Sequence, residues 1–121
     1  MNPSITDWQG KRVWLIGASS GIGAALAHEL SRRGARLAIS ARNAQKLQRN
    51  ALTGALPVPC DVTDTDSLAA ARRTVLAALG GIDLVVYLAG DYVPMRADNF
   101  NLAVAEQVIA VNFTAAMHVT A

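Results

Sequence analysis

Val13-Trp14-Leu15-Ile16-Gly17-Ala18-Ser19-Ser20-Gly21-Ile22-Gly23 decides how this chain folds. Its apolar opening, with β-branched Val13 and Ile16, reads as a short strand over Arg12 to Ile16, buried on both faces. Beyond the glycines, Ile22, Leu26 and Leu30 recur at a spacing of four, Arg32 and Arg33 trail, and Gly34 supplies a stop. That predicts a helix of about three turns. A strand that runs through glycines into a helix suits an anion: glycine allows positive φ, lets main chain approach a pyrophosphate and lets helix pack on strand. The helix N-terminus adds unpaired N–H groups. Gly17, Gly21 and Gly23 can fill these roles, and the strand before and helix after are the context that separates a phosphate cradle from a mere tight turn.

The alternation continues outward. Arg36 to Ser40 reads as a second strand, and Asn43 caps a helix running through Gln48 and Ala51. Leu56 to Cys60, with two prolines, fits a short strand only at a sheet edge. Thr63 or Asp64 then caps a helix whose face is Leu68, Ala71, Val75 and Leu79, ended by Gly80-Gly81. Ile82 to Leu88 is the most strand-like run, closed by Ala89-Gly90 before a loop with Pro94. From Phe100 to Ala121 no glycine or proline intervenes, and Leu102, Val108, Val111, Ala115 and Val119 keep helical spacing. Strand-helix alternation implies an α/β fold: a doubly wound parallel sheet with strand order 3-2-1-4 and ligands at the carboxyl ends of the strands.

Length and composition narrow the class. A chain of 121 residues reads as a single domain over 1–121. A net charge of +2 without a basic stripe argues against nucleic acid. Cys60 is the only cysteine, so no intrachain disulfide forms, and a reduced, cytoplasmic compartment is expected. The N-terminus lacks a signal pattern, no apolar run is expected to reach bilayer-spanning length, and no membrane partner is expected. His28 and His118 belong to no cluster with metal-ligand spacing, so no metal is expected.

The glycines are spaced G-x-x-x-G-x-G, and GKRVWLIGASSGIGAALAHEL, Gly10 to Leu30, resembles the opening of the short-chain dehydrogenase/reductase family. The resemblance implies a Rossmann-type sheet and a dinucleotide held by Gly17, Ser19, Ser20, Gly21, Ile22 and Gly23. It continues along the chain. Asp61-Val62 looks like the family's adenine-contacting Asp and its neighbour, Ala89-Gly90 like the end of its Asn-Asn-Ala-Gly motif, and Val111-Asn112 like its helix-borne catalytic Asn. The blander alternatives are that Asp61 is a neighbour of the following helix and Asn112 a polar residue in mid-helix; the adenine and catalytic roles are favoured over them. Two positions depart from the family: Ile16 stands for the usual Thr, and Tyr87-Leu88 for two Asn, removing polar side chains that brace turns near the cofactor.

An NAD site wants an acid at the end of the second strand, about twenty residues past the glycine turn. Here no Asp or Glu lies between Glu29 and Asp61; Ala41 holds that place and Arg42 follows. A guanidinium there can fork onto a 2′-phosphate and stack on adenine, so NADP(H) is expected over NAD(H). Arg32, Arg33 and Arg49 read as solvated helix-face charges.

In the resembled family a Ser, a Tyr and a Lys four positions after it perform the chemistry, and Asn112 would contact a water leading to that Lys. No Tyr-x-x-x-Lys occurs in the sequence. With a final helix that lacks a stop signal and a fourth strand left as an apolar edge, the chain is expected to be the N-terminal part of an NADP(H)-dependent oxidoreductase acting on a carbonyl or alcohol, inactive alone and homo-oligomeric when whole. A non-catalytic dinucleotide-binding module, or a scaffold completed by a partner, stays open beside it. Asp91 and Tyr92 follow the fourth strand where substrates bind, though loop polarity explains them equally well.

Overall fold

A computed structural model describes residues 5–18, 21–50, 54–90 and 96–120. Among them four parallel strands, β1 (Arg12–Ile16), β2 (Arg36–Ser40), β3 (Leu56–Pro57) and β4 (Leu84–Tyr87), form one sheet in the order β3-β2-β1-β4. The expected Rossmann-type order 3-2-1-4 is therefore the observed one. β1 is central, pairing Val13 with Leu37 on one side and Leu84 on the other, and Val13, Leu15 and Ile16 are inaccessible to solvent. β3 is only two residues long and lies at the edge, where its prolines are tolerated.

Helices cover both faces. α1 (Gly21–Arg32) and α2 (Ala44–Asn50) close the face of Val13, Leu15, Leu37 and Ile39, with Ala27, Leu30 and Leu47 as their buried contacts. α3 (Thr65–Leu79) and α4 (Leu102–Thr120) close the face of Trp14, Ile16 and Ala38. Asp64 proves to be the cap of α3, accepting from the N–H groups of Asp66 and Ser67. Asn43 caps α2 through Lys46 N–H at 3.0 Å.

Three details differ from the sequence pattern. Ile22, placed on the buried stripe of α1, is 79% exposed; Gly23 takes the inward position because helix and strand approach there. Leu102 is likewise exposed, since α4 meets the sheet only from Val111 and Ala115 onward. α4 itself is long and apolar enough, by length and composition, to cross a membrane, so the expectation that no segment reaches that length is corrected. Its periodicity serves a different end here, with Val111 and Ala115 buried and Val119 packed on the core.

The amino ends of the strands are tied to the carboxyl end of α3. Arg12 forks onto Asp83, with Nε to Oδ2 at 3.1 Å and Nη2 to Oδ1 at 3.0 Å, and its third nitrogen donates to the Gly80 carbonyl at 3.0 Å. Arg36 donates to the carbonyls of Leu79 and Ala78. Cations at a helix carboxyl end complement its dipole. The hydrogen bonds from Arg12 hold the Asp83 carboxyl below the ordinary range. Since the folded value lies below the unfolded one, the stabilisation is complete above about pH 4 and is lost as pH falls. Asp83→Asn is therefore expected to lower the thermal midpoint at pH 7, with the gap to wild type closing on acidification below about pH 4. A gap independent of pH, followed by circular dichroism, would contradict this; partial exposure keeps the effect modest.

Candidate functional site

At the carboxyl ends of the strands, β1 leaves the sheet pinned from both sides. The Ser40 carbonyl accepts from Gly17 N–H at 2.7 Å and Ala18 N–H at 3.3 Å, while the Ile16 carbonyl accepts from Leu88 N–H at 2.7 Å and Ala89 N–H at 3.1 Å. Buried Ser40 is itself fixed by the Trp14 indole, Nε1 to Oγ 2.8 Å. The turn is thus held by main chain, which explains why Ile16 can replace a polar residue there.

The glycines of this turn do different work. Gly17 has φ +94°, and a Cβ on it would lie 2.3 Å from the Ala89 nitrogen. Gly23 sits in the first turn of α1, where a Cβ would lie 2.4 Å from the Gly17 carbonyl oxygen. Gly21, with Ile22 beside it, is exposed and has open space around it. Ser19 and Ser20 lie outside the described residues, as do Asp91 and Tyr92.

Beside the turn a cavity of about 400 Å³ opens across all four strand ends. It brings together Gly17, Arg42, Asp61, Val62, Ala89 and Gly90, six positions that the sequence scatters over more than seventy residues. Its size is in the range of small-ligand sites. Gly21, Ile22 and Gly23 do not line it; they stand at the α1 terminus beyond Gly17.

Charge divides the cavity. On the β2 side Arg42, Asn43 and Lys46 line it, and on the β3 side Asp61, Val62 and Thr63. Asp61 Oδ1 accepts from Thr63 Oγ1 at 2.7 Å and Thr63 N–H at 3.0 Å. These bonds, with a smaller contribution from the Arg42 charge, lower its pKa, so Asp61 stays anionic. The loop of Asp61 is tied to α3 by its own N–H on Ser67 Oγ at 3.0 Å. Cys60 is buried beneath, and desolvation pushes its thiol upward, making it a packing residue and no nucleophile. Arg32 and Arg33 point elsewhere and both pair with Glu29, whose carboxyl they hold down at about 2.

Asn112 lies on an exposed stretch of α4, and its Oδ1 is 3.7 Å from where a Gly90 Cβ would stand, so it faces the rim at Gly90. It sits within a π turn, Ala110–Thr114. Sequence reading did not foresee that turn, since apolar spacing at Val111 and Ala115 is preserved across it. Nor did it single out Lys46, though a cation four residues after Arg42 on a helix was a usable signal. Among the described residues no group of His, Cys, Asp or Glu could hold a metal ion.

Comparison with known proteins agrees with this geometry. The family model described as short chain dehydrogenase matches residues 11–121. Dehydrogenase/reductase SDR family member 7 of Mus musculus is 37% identical, over 94% of this chain and 39% of its own length. A short-chain type dehydrogenase/reductase from Mycobacterium marinum superposes with TM-score 0.88 at 32% identity, covering 94% of this chain and 49% of that one. The 3-ketoacyl-(acyl-carrier-protein) reductase of Brucella melitensis, solved in complex with NADH, gives TM-score 0.87 at 25% identity over 93% of this chain and 48% of that one. The chain thus spans less than half the length of these relatives. Matched by that family model over most of its length and by relatives of this identity, the chain belongs to the short-chain dehydrogenase/reductase family.

Proposed function

We propose that this chain is the cofactor-binding part of an oxidoreductase that uses NADP(H) in preference to NAD(H) and acts on a carbonyl or alcohol. The observation that carries the reading is Arg42, set at the carboxyl end of β2 on the wall of the cavity, with Lys46 beside it and no acid on that side. A 2′-phosphate is the group such a pair recognises, one as a planar fork and the other as a point charge. In this reading Gly17, Ser19, Ser20, Gly21, Ile22 and Gly23 form the turn at the pyrophosphate, with the α1 N–H groups aimed at it. Asp61 and Val62 take the adenine side, and Ala89 and Gly90 bring main chain close to the ribose. The bound dinucleotide supplies hydride chemistry at its nicotinamide; Asn112 orders a water at the rim by Gly90. The single buried Cys60 fits a reducing compartment, and we place the protein in the cytoplasm.

Titration of both reduced cofactors by fluorescence tests this. NADPH is expected to bind tenfold or more tightly than NADH, about 1.4 kcal/mol or more. Equal or tighter NADH binding would overturn the preference. The same chain given simple aldehydes and ketones is expected to bind NADPH without oxidising it, because it holds no Tyr-x-x-x-Lys.

We also propose self-association through α4. Ile109, Phe113 and Met117 are 54%, 62% and 48% exposed and recur every four residues, one apolar stripe turned away from the sheet. Sedimentation is expected to show a dimer at micromolar concentration; a monomer at high micromolar concentration would overturn it.

A further inference from the structure

Tyr87 closes β4 at a place where the family carries an asparagine, and its ring packs half-buried against the core while its hydroxyl reaches α4. In an α-helix the Ala115 N–H would bond the carbonyl four residues back, that of Val111. In the π turn it bonds Ala110 instead. The Val111 carbonyl, deprived of that donor, accepts from the Tyr87 hydroxyl. A half-buried carbonyl that loses its ladder partner needs another, and this one comes from outside the helix.

Asn112 follows one peptide later, with Oδ1 at the Gly90 rim, and both Val111 and Gly90 line the cavity. We infer that Tyr87 is a positioning residue: its hydroxyl, by holding the Val111 carbonyl in the π turn, sets the direction in which Asn112 faces the cavity. A tyrosine fixed by ring packing is a stiff strut with few rotamers to lose. Its functional consequence rests on the reading of this cavity as a dinucleotide site with Asn112 at its rim.

The test uses the protein as its source makes it, with Tyr87→Phe, Asn112→Ala and the double variant. Tyr87→Phe is expected to move the side-chain amide resonances of Asn112 while leaving the Trp14 indole resonance in place. In a whole enzyme that supplies the Tyr-x-x-x-Lys, it is expected to lower kcat about tenfold with KM for the dinucleotide unchanged, and to add little in the Asn112→Ala background, because residues that act through one another are non-additive. Unmoved Asn112 resonances, or kcat losses that multiply in the double variant, would overturn the inference. Should Tyr87→Phe not fold, biosynthetic fluorotyrosine in a Tyr92→Phe background, so that Tyr87 is the only labelled tyrosine of this chain, keeps the strut with a more acidic, stronger donor and is expected to shift the same resonances; no shift overturns the inference equally. If the wild type binds neither dinucleotide, the cofactor reading fails, and the Asn112 resonances still decide the role of Tyr87.

Discussion

Gly17→Ala is expected to leave the chain unfolded or insoluble at room temperature. The backbone at φ +94° already costs an L side chain about 1 to 2 kcal/mol. The larger penalty is steric: the new Cβ would lie 2.3 Å from the Ala89 nitrogen and 2.7 Å from both the Ala89 Cα and the Leu88 carbonyl carbon. These are main-chain atoms, and they cannot withdraw, because the N–H groups of Leu88 and Ala89 are both bonded to Ile16. Relief therefore means opening the β1–β4 pairing at its carboxyl end. A loss beyond about 4 kcal/mol follows, a large part of the 5 to 15 kcal/mol that stabilises an ordinary domain. Gly23→Ala meets the Gly17 carbonyl oxygen at 2.4 Å and the Ala18 Cα at 2.8 Å, and is expected to behave the same way. Gly21→Ala provides the contrast. With φ +59° but nothing within 4 Å, it pays only the conformational cost and is expected to fold, about 1 to 2 kcal/mol less stable. Thermal unfolding of the three variants separates them; a Gly17→Ala protein melting near wild type would refute the steric argument.

The fold was readable because its signals were local and redundant. Arg12 to Ile16 and Arg36 to Ser40 are strands at the positions their residues predict, since a run buried on both faces admits little else. The prolines of Leu56 to Cys60 placed β3 at the edge, where they lack only N–H groups that would face outward: Val58 and Cys60, the residues between and after them, donate to the Ile39 and Ala41 carbonyls, although only Leu56 and Pro57 pair as strand. That Gly17, Arg42, Asp61, Val62, Ala89 and Gly90 would come together was readable for the same reason, since each follows a strand at its carboxyl end. What escaped was geometry between elements. The periodicity that put Ile22 on a buried face is correct for a free-standing amphipathic helix, but α1 begins against the turn at Gly23, which rolls Ile22 outward. The π turn in α4 is invisible to periodicity, since Val111 and Ala115 stay four apart and only the hydrogen-bond partner changes. Tyr87 read as a lost polar residue, whereas its hydroxyl donates to the Val111 carbonyl in α4.

Arg42→Ala is expected to weaken NADPH by tenfold to more than a hundredfold, about 1 to 3 kcal/mol, while changing NADH by less than about twofold. The asymmetry is the point, because a residue that merely stacked on adenine would weaken both cofactors alike. Asp61 makes the prediction sharper. Its carboxylate is anionic, held by Thr63, and faces Arg42 from the other wall of the cavity, so a phosphate placed near it would be repelled. In the proposed site a 2′-phosphate would thereby be confined to the side of Arg42 and Lys46. Lys46→Met, which removes a flexible point charge and keeps the aliphatic stem, is expected to cost NADPH less than Arg42→Ala does. Both losses are expected to shrink as salt is raised, since the cations are exposed and screening falls on the wild type more than on the variants. Equal weakening of the two cofactors by Arg42→Ala, measured by fluorescence titration, would move Arg42 from the phosphate to the adenine and leave the choice of dinucleotide to be explained by another residue.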